Sequence, residues 1–222
     1  MTIELYASQG SPWCWRVRLG LEFKRLAYVT HVLDTATQEH KSPQMLKLTP
    51  RGRLPLLRDG DYVVFESVAI LYYLDRQYPQ WPLFGTTAQE GGVILRVVEE
   101  FQNYIEPHLI AVVDAVRAHE LEGRRDEIMD HMLAAASEAR TIEGRLSKSD
   151  WVVGERPSAA DFVIYPWIRL LQQALADPDA TELAARFLPV DVQYPALARW
   201  LVRIESLPGY ARTEPPALVR DR

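Results

Sequence analysis

The chain has 222 residues, is 48% hydrophobic and 25% charged, and carries a formal net charge of −5. That composition describes a globular protein with enough apolar mass for one large or two modest domains. Charges of both signs are interspersed, which excludes a basic nucleic-acid surface, and the single cysteine excludes an intrachain disulfide or a cysteine-based zinc site.

Ile3–Ala7 reads as a strand, followed by a Ser8-Gln9-Gly10 loop. Ser11–Phe23 reads as a helix with a Cys14, Val17, Leu21 apolar stripe. Tyr28–Leu33 is a second strand and Ser42–Leu48 a short helix. Leu54–Leu57 and Tyr62–Phe65 flank Arg58-Asp59-Gly60-Asp61, a hairpin signal, and Ser67–Tyr78 is helical. The order β-α-β-α-β-β-α mixes a parallel crossover with an antiparallel hairpin. Residues 1–78 are therefore expected to form an α/β domain and 79–87, with two prolines and a glycine, a linker. Residues 88–222 are expected to be all-helical. Ala88–Leu121 forms one long pattern with a kink at Pro107, followed by Glu127–Leu146, Ser158–Leu175, Thr181–Phe187 and Tyr194–Ser206. No basic stretch precedes an apolar core at the N-terminus, and no apolar run is long enough to span a bilayer. The expectation is a cytoplasmic protein without nucleic-acid or membrane partners.

Four motifs stand out. Ser11-Pro12 opens a helix with a strong N-cap and a proline at the first helical position. A hydroxyl and backbone N–H groups beside the positive end of a helix dipole favour an anion, a thiolate included. Pro50-Arg51-Gly52-Arg53-Leu54-Pro55-Leu56-Leu57 sets a proline at a strand entrance. It is either an ordinary loop proline or the second half of a cis Leu54-Pro55 bond that turns Leu54 toward an extended peptide. Phe65-Glu66-Ser67 lies where a strand meets a helix. There Ser67 and the helix N–H groups suit a carboxylate and Glu66 an ammonium group, with a plain N-cap as the alternative. Ser158-Ala159-Ala160-Asp161 is a capping box and reads as structural.

These segments occur in the order and approximate spacing of the cytosolic glutathione transferases, which the chain resembles over nearly its whole length. The resemblance implies a thioredoxin-like first domain, a helical second domain, a homodimer, glutathione as the bound thiol and no metal. Ser11 matches the activating serine of the serine-type classes (theta, zeta and tau). Leu54 matches the residue whose backbone pairs with the cysteinyl part of glutathione, and Glu66 and Ser67 match those holding its γ-glutamyl end. His40 and Arg53 match positions that reach the glycyl carboxylate, and His40 reads equally as a solvated histidine.

A free thiol with a pKa near ~8.5 is mostly protonated at neutral pH. Ser11 would donate to the sulfur and stabilise the thiolate, which attacks a nearby electrophilic carbon. Tyr6 stands where tyrosine-type classes carry their hydroxyl, but reads as a strand aromatic. Cys14 occupies the second place of a glutaredoxin-like Cys-Pro-Tyr-Cys pattern and reads as a buried core thiol. The electrophile is expected between the Ser8–Gly10 loop, Trp13, and Phe101, Tyr104 and His108, with core packing as the alternative for Phe101 and Tyr104. Trp15-Arg16-Val17-Arg18 matches the second half of a zeta-class run, which keeps a maleylacetoacetate-type isomerase open. A non-catalytic interaction protein on the same fold is the third reading.

Overall fold

The computed structural model describes residues 2–215. The chain divides into two compact units, Met1–Phe84 with Leu207–Arg222, and Gly85–Ser206.

The first unit is built on strands β1 (Ile3–Ala7), β2 (Tyr28–Val32), β3 (Leu56–Asp59) and β4 (Tyr62–Phe65), in sheet order β2-β1-β3-β4. Helix α1 (Pro12–Phe23) makes the crossover that lets β2 run parallel to β1, whereas β3 runs antiparallel to β1 and β4 to β3. The hairpin ladder extends to Asp59 opposite Tyr62, so β3 starts and ends two residues later than the sequence suggested. Gly60, at φ 62, turns the chain. Along β1, Ile3, Leu5 and Ala7 are buried, while Glu4 and Tyr6 alternate to the half-buried face. The stripe of Cys14, Val17 and Leu21 packs on that buried face, together with Leu57 and with Ile70 and Leu74 of α3 (Ser67–Gln77). Each such side chain contributes about 1.5–3 kcal/mol by leaving water. A short helix α2 (Pro43–Leu48) is capped by Ser42, whose hydroxyl accepts from Met45 N.

The expected linker does not begin at residue 79. Leu83 and Phe84 are 0% and 2% exposed, Leu83 N–H donates to Asp75 Oδ1, and the buried Lys24 ammonium donates to the carbonyls of Gln80 and Trp81. Nor does the C-terminal segment group with the helices before it. In α11 (Tyr210–Thr213), the last helix among the described residues, Thr213 Oγ1 accepts from Trp15 Nε1 at 3.0 Å and Arg212 pairs with Glu22, both partners lying on α1.

The second unit consists of α4 (Ala88–Tyr104), α5 (Glu106–Arg117), α6 (Leu121–Leu146), α7 (Ala159–Ala174), α8 (Thr181–Ala184), α9 (Val190–Gln193) and α10 (Pro195–Glu205). The expected kink at Pro107 is a break at Ile105, and Pro107 falls in the first turn of α5, where its missing N–H costs no helical bond. The helical pattern ends at Arg117, and α6 starts six residues before the expected Glu127 across a non-helical Arg124. Ser158 and Asp161 form the anticipated capping box. Asp161 is 0% exposed and also accepts from Val152 N and Trp200 Nε1, so one carboxylate anchors the start of α7, the preceding loop and α10. Burial pushes its carboxyl above the usual range against the pull of these donors. No helix among the described residues is long and apolar enough to cross a membrane.

Candidate functional site

A cavity of about 470 Å³ in the first unit is lined by residues from four separate segments. Seven of the residues singled out in the sequence line it: Ser11, Trp13, His40, Arg53, Leu54, Glu66 and Ser67. Phe101, Tyr104 and His108 belong to the second unit.

Ser11 is the N-cap of α1, with extended backbone (φ −75, ψ 124), and its Oγ accepts from Cys14 N at 3.3 Å. An accepting hydroxyl still has its hydrogen to give, and Ser11 lines the cavity. Three amides at this helix end are absent or already engaged. Pro12 has no N–H, Cys14 N–H goes to Ser11 Oγ, and Trp15 N–H goes to the Ser11 carbonyl at 2.9 Å. The Ser11 hydroxyl, backed by the dipole of α1, is a donor that this helix start can offer to the cavity.

Leu54 precedes the paired residues of β3, and the Leu54-Pro55 peptide is cis. The turn before it depends on Gly52 at φ 54, where an added Cβ would lie 3.0 Å from the Lys41 side chain and 3.3 Å from the His40 carbonyl. His40 lies in a 3-10 turn, and its Nδ1 is buried with no hydrogen-bond partner among the described residues. Arg53 is exposed. A cation and an unpartnered imidazole nitrogen thus border one part of the cavity.

Glu66 occupies the N-cap position of α3 with φ 71 and ψ 116, a strained conformation for a residue with a side chain, and its carboxylate does not cap the helix. The ordinary N-cap reading therefore fails here, and Glu66 is free to act as an exposed anion on the cavity wall. Ser67, the first residue of α3, is 6% exposed, and its Oγ accepts from Arg16 Nη1 at 3.4 Å. Arg16 is 0% exposed. The sequence quoted it in the Trp15-Arg16-Val17-Arg18 run but gave no signal that it would meet Ser67, 51 residues away.

The rivals of Ser11 are engaged elsewhere. Tyr6 donates its hydroxyl to Glu4 and stacks on His31 with ring centroids 4.7 Å apart, and burial together with Glu4 raises its phenol. Cys14 is 2% exposed, its Sγ accepts from Ser8 N at 3.4 Å, and burial pushes its thiol up. A raised thiol is a poor nucleophile at neutral pH. A second cavity of about 250 Å³, bounded by Ala7, Gln9, Thr30 and Val32, shares Ser8 and Ser11 with the first.

In the second unit, Phe101 is 1% exposed and belongs to the core, which removes it from any substrate wall. Tyr104 is 66% exposed, so core packing does not account for it. His108 Nδ1 lies 2.8 Å from His131 Nδ1 on α6, a contact the sequence did not suggest. One of these nitrogens must carry a hydrogen and the other a lone pair. Among the described residues no group of three His, Cys, Asp or Glu is placed to hold a metal ion.

Comparison with known proteins adds independent findings. Residues 5–82 match the glutathione S-transferase N-terminal domain family and residues 97–208 the C-terminal domain family. Glutathione S-transferase F10 of Arabidopsis thaliana is 31% identical over 153 residues, covering 67% of this chain and 71% of that protein. The maleylacetoacetate isomerase of Pseudomonas aeruginosa is 29% identical over 204 residues, covering 87% and 93%. Among solved structures, a glutathione S-transferase from the Antarctic clam Laternula elliptica aligns with a TM-score of 0.78 and 25% identity over 100% of this chain and 95% of that one.

Proposed function

The chain belongs to the glutathione S-transferase family and is a glutathione transferase, and from that premise we propose that Ser11 is the group that activates glutathione. The observation that carries this reading is the Ser11 hydroxyl at the N-terminus of α1, in a cavity that Leu54, Glu66 and Ser67 also line.

The cavity suits the chemistry of the tripeptide. Its γ-glutamyl end bears an ammonium group, matched by Glu66, and a carboxylate, matched by Ser67 and the N-terminus of α3. Leu54 supplies main-chain groups for the cysteinyl residue. Arg53 and the unpartnered Nδ1 of His40 suit the glycyl carboxylate. The sulfur then lies against Ser11, which donates to the thiolate and takes no proton from it. The helix dipole favours the same charge, so the thiolate forms below its solution pKa of ~8.5 and attacks the electrophile as it stands. Trp13, on the wall of the same cavity, is this unit's candidate contact for that second substrate. The enzyme works as a cytoplasmic homodimer in this reading.

A thiolate absorbance titration of glutathione with the wild type and Ser11→Ala tests the assignment. The wild type should show the thiolate band well below pH 8.5. The variant should bind glutathione nearly as well, lack the band at neutral pH and lose about 10²–10³ in turnover, as for a lost anion-stabilising donor. Equal bands in the two proteins would remove Ser11 from the mechanism.

A second reading is a glutathione-dependent isomerase. It is favoured by the similarity to the Pseudomonas aeruginosa maleylacetoacetate isomerase and by the Trp15-Arg16-Val17-Arg18 run. The same thiolate would add to an activated double bond and leave after rotation. Turnover of maleylacetone, set beside conjugation of an aryl halide, separates the two.

A further inference from the structure

Two arginines of α1, Arg16 and Arg18, lie in different surroundings. Arg18 is half-buried and donates to the Arg212 carbonyl. Arg16 is 0% exposed, and its Nη1 donates to Ser67 Oγ at 3.4 Å. A fully buried guanidinium is expensive to retain, because it leaves water and needs favourable contacts in return. Its position behind a residue of the cavity wall suggests what that charge is for.

The direction of the contact is fixed by chemistry. A guanidinium has only hydrogens to give, and a serine hydroxyl has two lone pairs and one hydrogen. Arg16 therefore occupies a lone pair of Ser67 and leaves the Ser67 hydrogen pointing away from the guanidinium. Ser67 lines the cavity, and Arg16 does not.

We propose that Arg16 is a positioning residue that holds the Ser67 hydroxyl as an outward donor to the carboxylate of the γ-glutamyl end of glutathione. The inference rests on the glutathione reading above and adds a residue to it. Arg16 also places a fixed positive charge behind Ser67, in the same sense as the N-terminus of α3. In a buried setting, polarisation by the guanidinium makes the hydroxyl a stronger donor than an isolated serine. The 3.4 Å contact is long for such a bond, and pairing Ser67 with an anion would draw it shorter.

The test compares two ligands by tryptophan fluorescence titration. Glutathione carries the γ-glutamyl group. Cysteinylglycine has the same thiol and glycyl end without it. Arg16→Gln should weaken glutathione about tenfold, the scale of one lost hydrogen bond to a charged group, and cysteinylglycine less than about twofold. Turnover at saturating glutathione should hold, and Arg16→Lys should recover part of the loss because it keeps the charge but not the planar fork. In a Ser67→Ala background, Arg16→Gln should cost glutathione little more. Equal weakening of both ligands, or none, would overturn the role of Arg16. Ser67→Ala serves even where Arg16→Gln does not fold, since an unchanged preference for glutathione over cysteinylglycine in that variant would overturn it too. A wild-type protein without any preference for glutathione would overturn the underlying reading of the cavity itself.

Discussion

At the scale of single residues, the proposed chemistry rests on hydroxyls placed at helix starts. Ser11 was legible because N-capping is local: a serine followed by proline after a strand has few other uses. Glu66 and Ser67 were legible as a pair but not in their division of labour. The structure shows that Glu66 does not cap α3, and its φ of 71 is a feature no residue type announces. Arg16 and the His108–His131 pair were invisible for a different reason, since each depends on a partner from another element. Asp161 shows the value of a signal that is local and buried at once. Its four donors, Ser158 N, Ser158 Oγ, Val152 N and Trp200 Nε1, would all lose their acceptor in Asp161→Ala. That variant should lose about 3 kcal/mol or more in urea denaturation, well above the cost of an ordinary cap. A loss below about 1 kcal/mol would mean that these groups find other partners.

At the scale of elements, periodicity located the strands and helices of the first unit because their apolar faces are one-sided. The errors lie at ends and joints. β3 runs on to Asp59 because the ladder to β4 continues through residues that carry no hydrophobic signal. The expected kink became a break because Pro107 suits the start of α5 better than the middle of a longer helix. One joint that the pattern could not reveal is Asp59, whose Oδ2 accepts from Tyr73 at 2.9 Å and from Tyr78 at 2.6 Å, tying α3 and its end to the hairpin. Burial, then Asp59, pushes the Tyr78 phenol up to about 12. A phenol whose folded pKa exceeds its unfolded value of ~10 favours the folded state fully below pH 10 and loses that advantage as pH rises toward 12. Wild type should therefore lose stability between about pH 10 and 12 relative to Tyr78→Phe, as read from urea midpoints at each pH. Parallel curves for the two proteins across that window would show that the Tyr78–Asp59 bond does not contribute.

At the scale of the whole molecule, the α/β half and the helical half could be told apart from composition and periodicity, and the family relationship agrees with that order. What the sequence did not disclose is that the first unit is discontinuous. Nothing in Tyr210–Thr213 marks it as a partner of α1, because the contacts Trp15–Thr213 and Glu22–Arg212 span 198 and 190 residues. Chain order therefore differs from structural order. On the ribosome, α1 is made before α4–α10, yet it receives its Thr213 and Arg212 partners only after those helices. All of the second unit is translated in the interval. The first unit is thus begun before the second and finished after it, so its completion reports that the second unit has been produced.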